Sequence, residues 1–255
     1  MMRFRLAPHL KLALYAEWAK LRTAPGTIWL LIGVVVSTVA ISLTTVAASG
    51  CHTAGCVADP AKTSLTGVYL GQAVVAVLAA LAISEEYGTG MIRVSLTAMP
   101  RRVTMLSAKA LVLTGPVFVA SAISVAASML AGWLVLPGHV FGPGEWDASF
   151  RTSMYLTLIA ALSLGVTTVI RESAAAIGVV LGILYLFPVA ASLFRDPAVA
   201  RHLEQVGPLS AGLDAQASTG LGHLPLTPWQ GLAVVALWAA GALIAGGAVL
   251  RLRDA

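Results

Sequence analysis

Charge is what this sequence has least of. Only 11% of its 255 residues are Asp, Glu, Lys or Arg, against roughly 25% in an ordinary soluble domain. Eleven acids and sixteen bases cannot cover a water-soluble body of this size, and a 58% hydrophobic content excludes disorder. Other absences narrow the chemistry. There is no G-x-x-x-x-G-K-[ST], so the chain carries no P-loop for ATP, and there is no H-E-x-x-H. Four of the five histidines, His52, His139, His202 and His223, fall in connecting segments, and none pairs at metal-ligand spacing. No Asp-rich cluster points to a membrane prenyltransferase, and no serine–histidine pair points to an intramembrane protease. No cleavable signal peptide is evident at the start.

What is present is long apolar runs. Mean hydropathy is +0.87. Six stretches of about 20 apolar residues are bounded by charge, at 28–49, 64–84, 107–136, 152–170, 173–194 and 229–250. The expected fold is therefore an all-α polytopic membrane protein with six transmembrane helices. Periodicity adds little, because buried spans are apolar all round. Gly, Ala, Ser and Thr are dense in every run, which favours close helix packing. Pro116 and Pro188 lie inside runs three and five, as structural kinks or as gating points.

The sparse charges set the orientation. The formal charge is +5 and the pI about 9.6, which in a soluble protein would suggest nucleic acid. Here it reads as Lys and Arg held on one side of a bilayer, and no nucleic-acid partner is expected. With both termini in the cytoplasm, the inner segments carry 12 bases and the outer loops 4. The same division gives +7 inside and −2 outside. The expected location is the cell membrane of a bacterium, with lipid as the surround.

The segments between runs carry further expectations. Residues 1–27 read as an amphipathic helix, with Leu10, Leu14, Trp18 and Leu21 on one face and Glu17 at its edge. It lies on the inner leaflet with Trp18 as an interface anchor, or is a short helix without membrane contact. Pro25-Gly26 turns the chain into the first run. Cys51 and Cys56 share the first outer loop, either as a disulfide or as two free thiols. Residues 195–228 form a small outer cap, with Asp196 as N-cap of a helix that Pro197 opens. Residues 251–255 form a cytoplasmic tail.

No acid or base falls in the middle of a run. The one strongly polar side chain there is Gln72, as an interhelical hydrogen bond or a weak candidate for substrate contact. Proton-driven transporters usually keep an ionisable group within their spans. A chain without one draws its energy from elsewhere.

The densest inner charge lies between runs two and three, in the loop 85–106. It reads Glu85-Glu86-Tyr87-Gly88-Thr89-Gly90-Met91-Ile92-Arg93, and it ends on Pro100-Arg101-Arg102, with Lys109 beyond. Met91, Ile92, Val94 and Leu96 would cover one face of a short helix pressed against a cytoplasmic partner. The alternative is a solvated loop with basic anchors at Arg101, Arg102 and Lys109.

This stretch resembles the permeases of the ABC-2 type exporter family. The resemblance rests on Glu86-Tyr87, Gly88-Thr89, Pro100-Arg101-Arg102 and Lys109 in that order. The opening Glu17-Trp18-Ala19-Lys20-Leu21-Arg22-Thr23 and the last run with its Arg251-Leu252-Arg253-Asp254 ending support it. It implies a permease without ATPase activity, paired with a second permease copy and resting on a cytoplasmic ABC ATPase subunit. ATP and Mg would be bound by that subunit, with no cofactor in this chain. It also implies that Glu85, Glu86, Tyr87, Gly88, Thr89, Met91, Ile92 and Arg93 couple the ATPase to the spans. A rival reading is an ATPase-independent channel or secondary transporter.

Overall fold

The computed structural model of the chain describes residues 6–49, 59–91, 102–136, 142–194, 196–220, 222 and 225–253. Among the described residues there is helix and no strand. Helix α1 spans Leu6–Thr23 and α2 Pro25–Ala48. The short α3 (Pro60–Ser64) leads into α4 (Val68–Gly88). Then come α5 (Arg102–Val135), α6 (Pro143–Ile170) and α7 (Ser173–Leu193). Two short helices, α8 (Pro197–Val206) and α9 (Pro208–Leu213), precede a 3-10 turn at Asp214–Gln216 and the last helix, α10 (Pro228–Arg253). Six of these, α2, α4, α5, α6, α7 and α10, are long and apolar enough to cross a membrane.

Proline sets many of the helix starts. It opens α2, α3, α6, α8, α9 and α10, where its missing N–H would be unsatisfied anyway. The break between α1 and α2 has the same origin. Ala24 precedes Pro25 and is held extended, at φ −85° and ψ 101°, because proline disfavours helical geometry in the residue before it. Asp196 caps α8 by accepting from the Ala198 N–H at 2.8 Å. Pro116 and Pro188 lie inside α5 and α7, which continue through them. The α6–α7 connection is only two residues long. Arg171 adopts left-handed geometry (φ 67°), and Glu172 caps α7 by accepting from the Ala174 and Ala175 N–H groups.

Helix α6 is the central element. It is the most enclosed span, whereas α2 and α7 are the most open. It packs on α10, α5, α4 and α7, while α2 lies against α4 and α5. The α6–α10 crossing is close because Gly165 has no side chain: a Cβ there would lie 2.5 Å from the Ala242 carbonyl carbon. The core is continuous, running from Val75 and Leu78 through Leu156, Ile159 and Leu162 to Val235. Outward, large apolar side chains such as Trp29, Leu193, Leu237 and Ile244 are exposed on the spans. That is the surface expected to face hydrocarbon rather than water.

Helices α8, α9 and the 3-10 turn form a cap over one end. Arg151 of α6 is buried and donates from Nε to Ala215 O at 3.0 Å and from Nη2 to Ala217 O at 2.9 Å, while Nη1 pairs with Asp147. Asp59 accepts from the backbone of Ser218 and Thr219 at 2.9 and 3.2 Å. Burial pushes the Asp59 carboxyl up, but hydrogen bonds from Lys62, Ser218 and Thr219 outweigh it and leave the group below the usual aspartate range.

Candidate functional site

At the end opposite the cap, three segments meet through ionic side chains. Glu17 and Lys20 lie one turn apart on α1. Glu86 sits in the last turn of α4, and Lys109 two turns into α5. Lys20 Nζ is 2.8 Å from Glu17 Oε1 and 2.9 Å from Glu86 Oε1. Lys109 Nζ is 3.1 Å from Glu17 Oε2 and 2.9 Å from Glu86 Oε1, and it donates to Ala82 O at 3.2 Å. Charges of opposite sign alternate around a closed ring of two acids and two bases.

Burial makes this ring consequential. Glu17, Glu86 and Lys109 are 3%, 6% and 7% exposed. Each such ion has lost several kcal/mol of hydration, so the ring holds only while every member has its partner. Lys20 is more open. Burial works to lower its pKa, but the Glu17 and Glu86 carboxylates outweigh it and hold the ammonium above the usual lysine value. Glu86 Oε2 is buried without a hydrogen-bond partner. Beside the ring lies a cavity of about 230 Å³, with Thr23, Thr27, Glu85, Thr89 and Met91 among its walls. Nearby, the Arg171 guanidinium stands 5.5 Å over the Tyr87 ring and ties the ends of α4 and α6 together.

The two adjacent acids therefore part company. Glu85 is exposed, while Glu86 points into the bundle. Successive helical residues diverge by about 100°, and Glu86 takes the inner side, so in the isolated chain Glu85 is the one of the two that an external partner could reach. Lys109, expected as an interface anchor, has its ammonium buried between the Glu17 and Glu86 carboxylates. Gly88, Thr89 and Met91 are exposed, and Tyr87 is half-buried. Trp18 is 44% exposed on α1, and with Leu14 and Tyr15 it borders Val112 of α5. Arg102 opens α5. Ile92, Arg93, Pro100, Arg101, Cys51 and Cys56 lie outside the described residues.

A second polar group joins the spans nearer the cap. Gln72 is in the second turn of α4, because residues 64–67 belong to α3 and a turn rather than to the span. Tyr155 of α6 donates to Gln72 Oε1. Gln72 Nε2 donates to Tyr185 Oη of α7 at 3.2 Å, and Tyr185 donates to Tyr69 O. The Tyr155 ring is fully buried under Gly212 of the cap, where a Cβ would meet it at 2.1 Å.

Reading the sequence missed Glu17, Lys20, Tyr155 and Tyr185 as members of these groups. The i, i+3 pairing of Glu17 with Lys20 was visible. Its alignment with Glu86 and Lys109 is a property of how α1 folds back.

Six helices long and apolar enough to cross a membrane, joined by a Gln–Tyr group near one end and an ionic ring at the other, mark a multi-pass integral membrane protein. A family model described as ABC-2 family transporter protein matches residues 13–190, which include the whole ionic ring and the Gln72–Tyr155–Tyr185 group. The chain belongs to the ABC-2 transporter family and is an ABC transporter permease. No curated protein matches the sequence.

Proposed function

We propose that this chain is the permease subunit of an ATP-driven exporter, coupled to a separate cytoplasmic ABC ATPase through the end of α4 and the segment that follows it. The observation that carries the reading is the ionic ring. It joins α1, α4 and α5 at the end where the bases concentrate, so a push on the exposed Glu85, Thr89 and Met91 is passed to three helices at once. On this reading both termini are cytoplasmic, two permease copies pack together, and ATP with Mg is bound by the ATPase. Closure of the ATPase pair favours one arrangement of the spans over the other by differential binding. Substrate passes between the two permeases along small and apolar side chains of the first, second and fifth spans.

The test is coexpression with a P-loop ATPase from a neighbouring reading frame. The expected result is a complex that copurifies and hydrolyses ATP faster when substrate is added. Transport by the purified permease in vesicles without any ATPase would overturn the proposal. It would favour the channel or secondary-transporter reading, for which Glu86 and Lys109 would be the natural proton site. Their mutual neutralisation in the ring speaks against that use.

A further inference from the structure

Helices α5 and α10 leave a groove of about 560 Å³ between them at the end of the bundle that carries the ionic ring. Its walls are Val103, Leu106 and Ala110 on one side and Leu243, Ile244 and Gly247 on the other. Two polar side chains reach it. Ser107 spends its hydroxyl on Thr104 O of its own helix, at 2.9 Å. Arg251 is exposed at the groove's end, and among the described residues no acid lines the groove. Arg251 lies eight residues beyond Leu243, which on a helix is about 12 Å along the axis. The groove thus presents an apolar trough one acyl segment long, closed by a single cation.

Both walls belong to spans, and Ile244 and Leu252 are 72% and 81% exposed, so the groove opens sideways to hydrocarbon. A water-soluble ligand would have to enter through lipid. A second copy of the chain would have to desolvate Arg251, and none of the described residues lining the groove compensates that charge. A molecule with an apolar tail and an anionic head meets both demands. We infer that this groove binds one anionic phospholipid, with an acyl chain along Val103, Leu106 and Gly247 and the phosphate at Arg251. Gly247 creates the room: a Cβ there would only reach ordinary contact with Leu106 and Val103, at 3.9 Å. A longer side chain would fill the trough without moving the backbone.

The experiment uses the full chain in nanodiscs of phosphatidylcholine mixed with phosphatidylglycerol. Retained lipids are counted by native mass spectrometry. Wild type is expected to keep one phosphatidylglycerol per chain, about five-fold in preference to phosphatidylcholine, the ratio for one basic side chain near an anionic head. Arg251→Gln should bring that preference close to one, and Arg251→Lys should keep it. Gly247→Leu should lose the retained lipid of either kind while melting like wild type. Equal retention of both lipids by wild type, or a preference that survives Arg251→Gln, overturns the inference. So does crosslinking between chains through Ile244→Cys in native membranes, which would show a second copy covering the groove.

Discussion

Replacing Lys109 with Met tests the ionic ring most directly. Met fills nearly the same space and removes only the charge. Lys109 has a side chain 8% exposed, with Glu17 Oε2 at 3.1 Å and Glu86 Oε1 at 2.9 Å. Without it, two buried carboxylates share Lys20 alone, whose side chain is 30% exposed. The ring passes from neutral to a net charge of −1. Removing one partner of a buried ion pair costs about 3–5 kcal/mol. Lys20 still bridges both acids, so the low end applies, about 3 kcal/mol. At roughly 2–4 °C per kcal/mol for a chain of this size, melting should fall by about 6–12 °C. Changing Glu86 to Gln in the same molecule restores a neutral ring of Glu17 and Lys20. The double variant should therefore lose less than the sum of the two single variants, by about 1–3 kcal/mol. Thermal unfolding of the purified chain in detergent, followed by size-exclusion chromatography, measures all four species. A Lys109→Met protein that melts within ~2 °C of wild type, or strict additivity with Glu86→Gln, would refute a closed electrostatic ring.

Three further outcomes follow from the rest of the molecule. Asp214 of the cap is half-buried, and burial together with nearby Glu204, partly offset by Lys62, raises its pKa from 3.8 to about 6. The folded cap then holds a proton that the unfolded chain has released. Stability should fall as pH rises from about 3.8 to about 6, with the loss complete above that window; Asp214→Asn should remove this slope from melting curves taken between pH 4 and 7.5. Tyr155→Phe leaves Gln72 Oε1 without its donor and should destabilise the bundle by about 0.6–1.7 kcal/mol, seen as a lower melting temperature that Gln72→Leu in the same chain partly restores. Gly165→Val drives a side chain into the Ala242 backbone of α10. Overpacking against a backbone that cannot yield costs at least about 1–3 kcal/mol, so the yield of monodisperse protein should drop sharply, whereas Gly178→Val, with open space around it, should purify normally.

Much of the fold was legible in the sequence because it depends on local chemistry. Run length decides whether a helix can cross hydrocarbon, and the six runs reappear in the six span-capable helices. Proline at a first helical position marks where helices begin, as Pro25, Pro197 and Pro228 do here. Boundaries shifted where a short element absorbed part of a run. The turn after α3 moved the start of the second span from 64 to Val68 and carried Gln72 toward the cap. Arg151, the residue just before the fourth run, lies within α6, where it is buried and holds the cap.

By itself, the sequence determined that six runs are long and apolar enough to cross a membrane, that charge is too scarce for a water-soluble body, and that no P-loop motif occurs in it. Those properties follow from composition, run length and missing motifs. Only the tertiary structure decided what the acids and bases do. Glu85 and Glu86 are neighbours in sequence, yet a helical step of about 100° turns one outward and the other inward. Lys109 meets Glu17, 92 positions earlier in the chain, only because α1 folds back and brings the carboxylate within 3.1 Å of it. A buried charge is tolerated only where a partner arrives in three dimensions, and no spacing along the chain specifies that arrival.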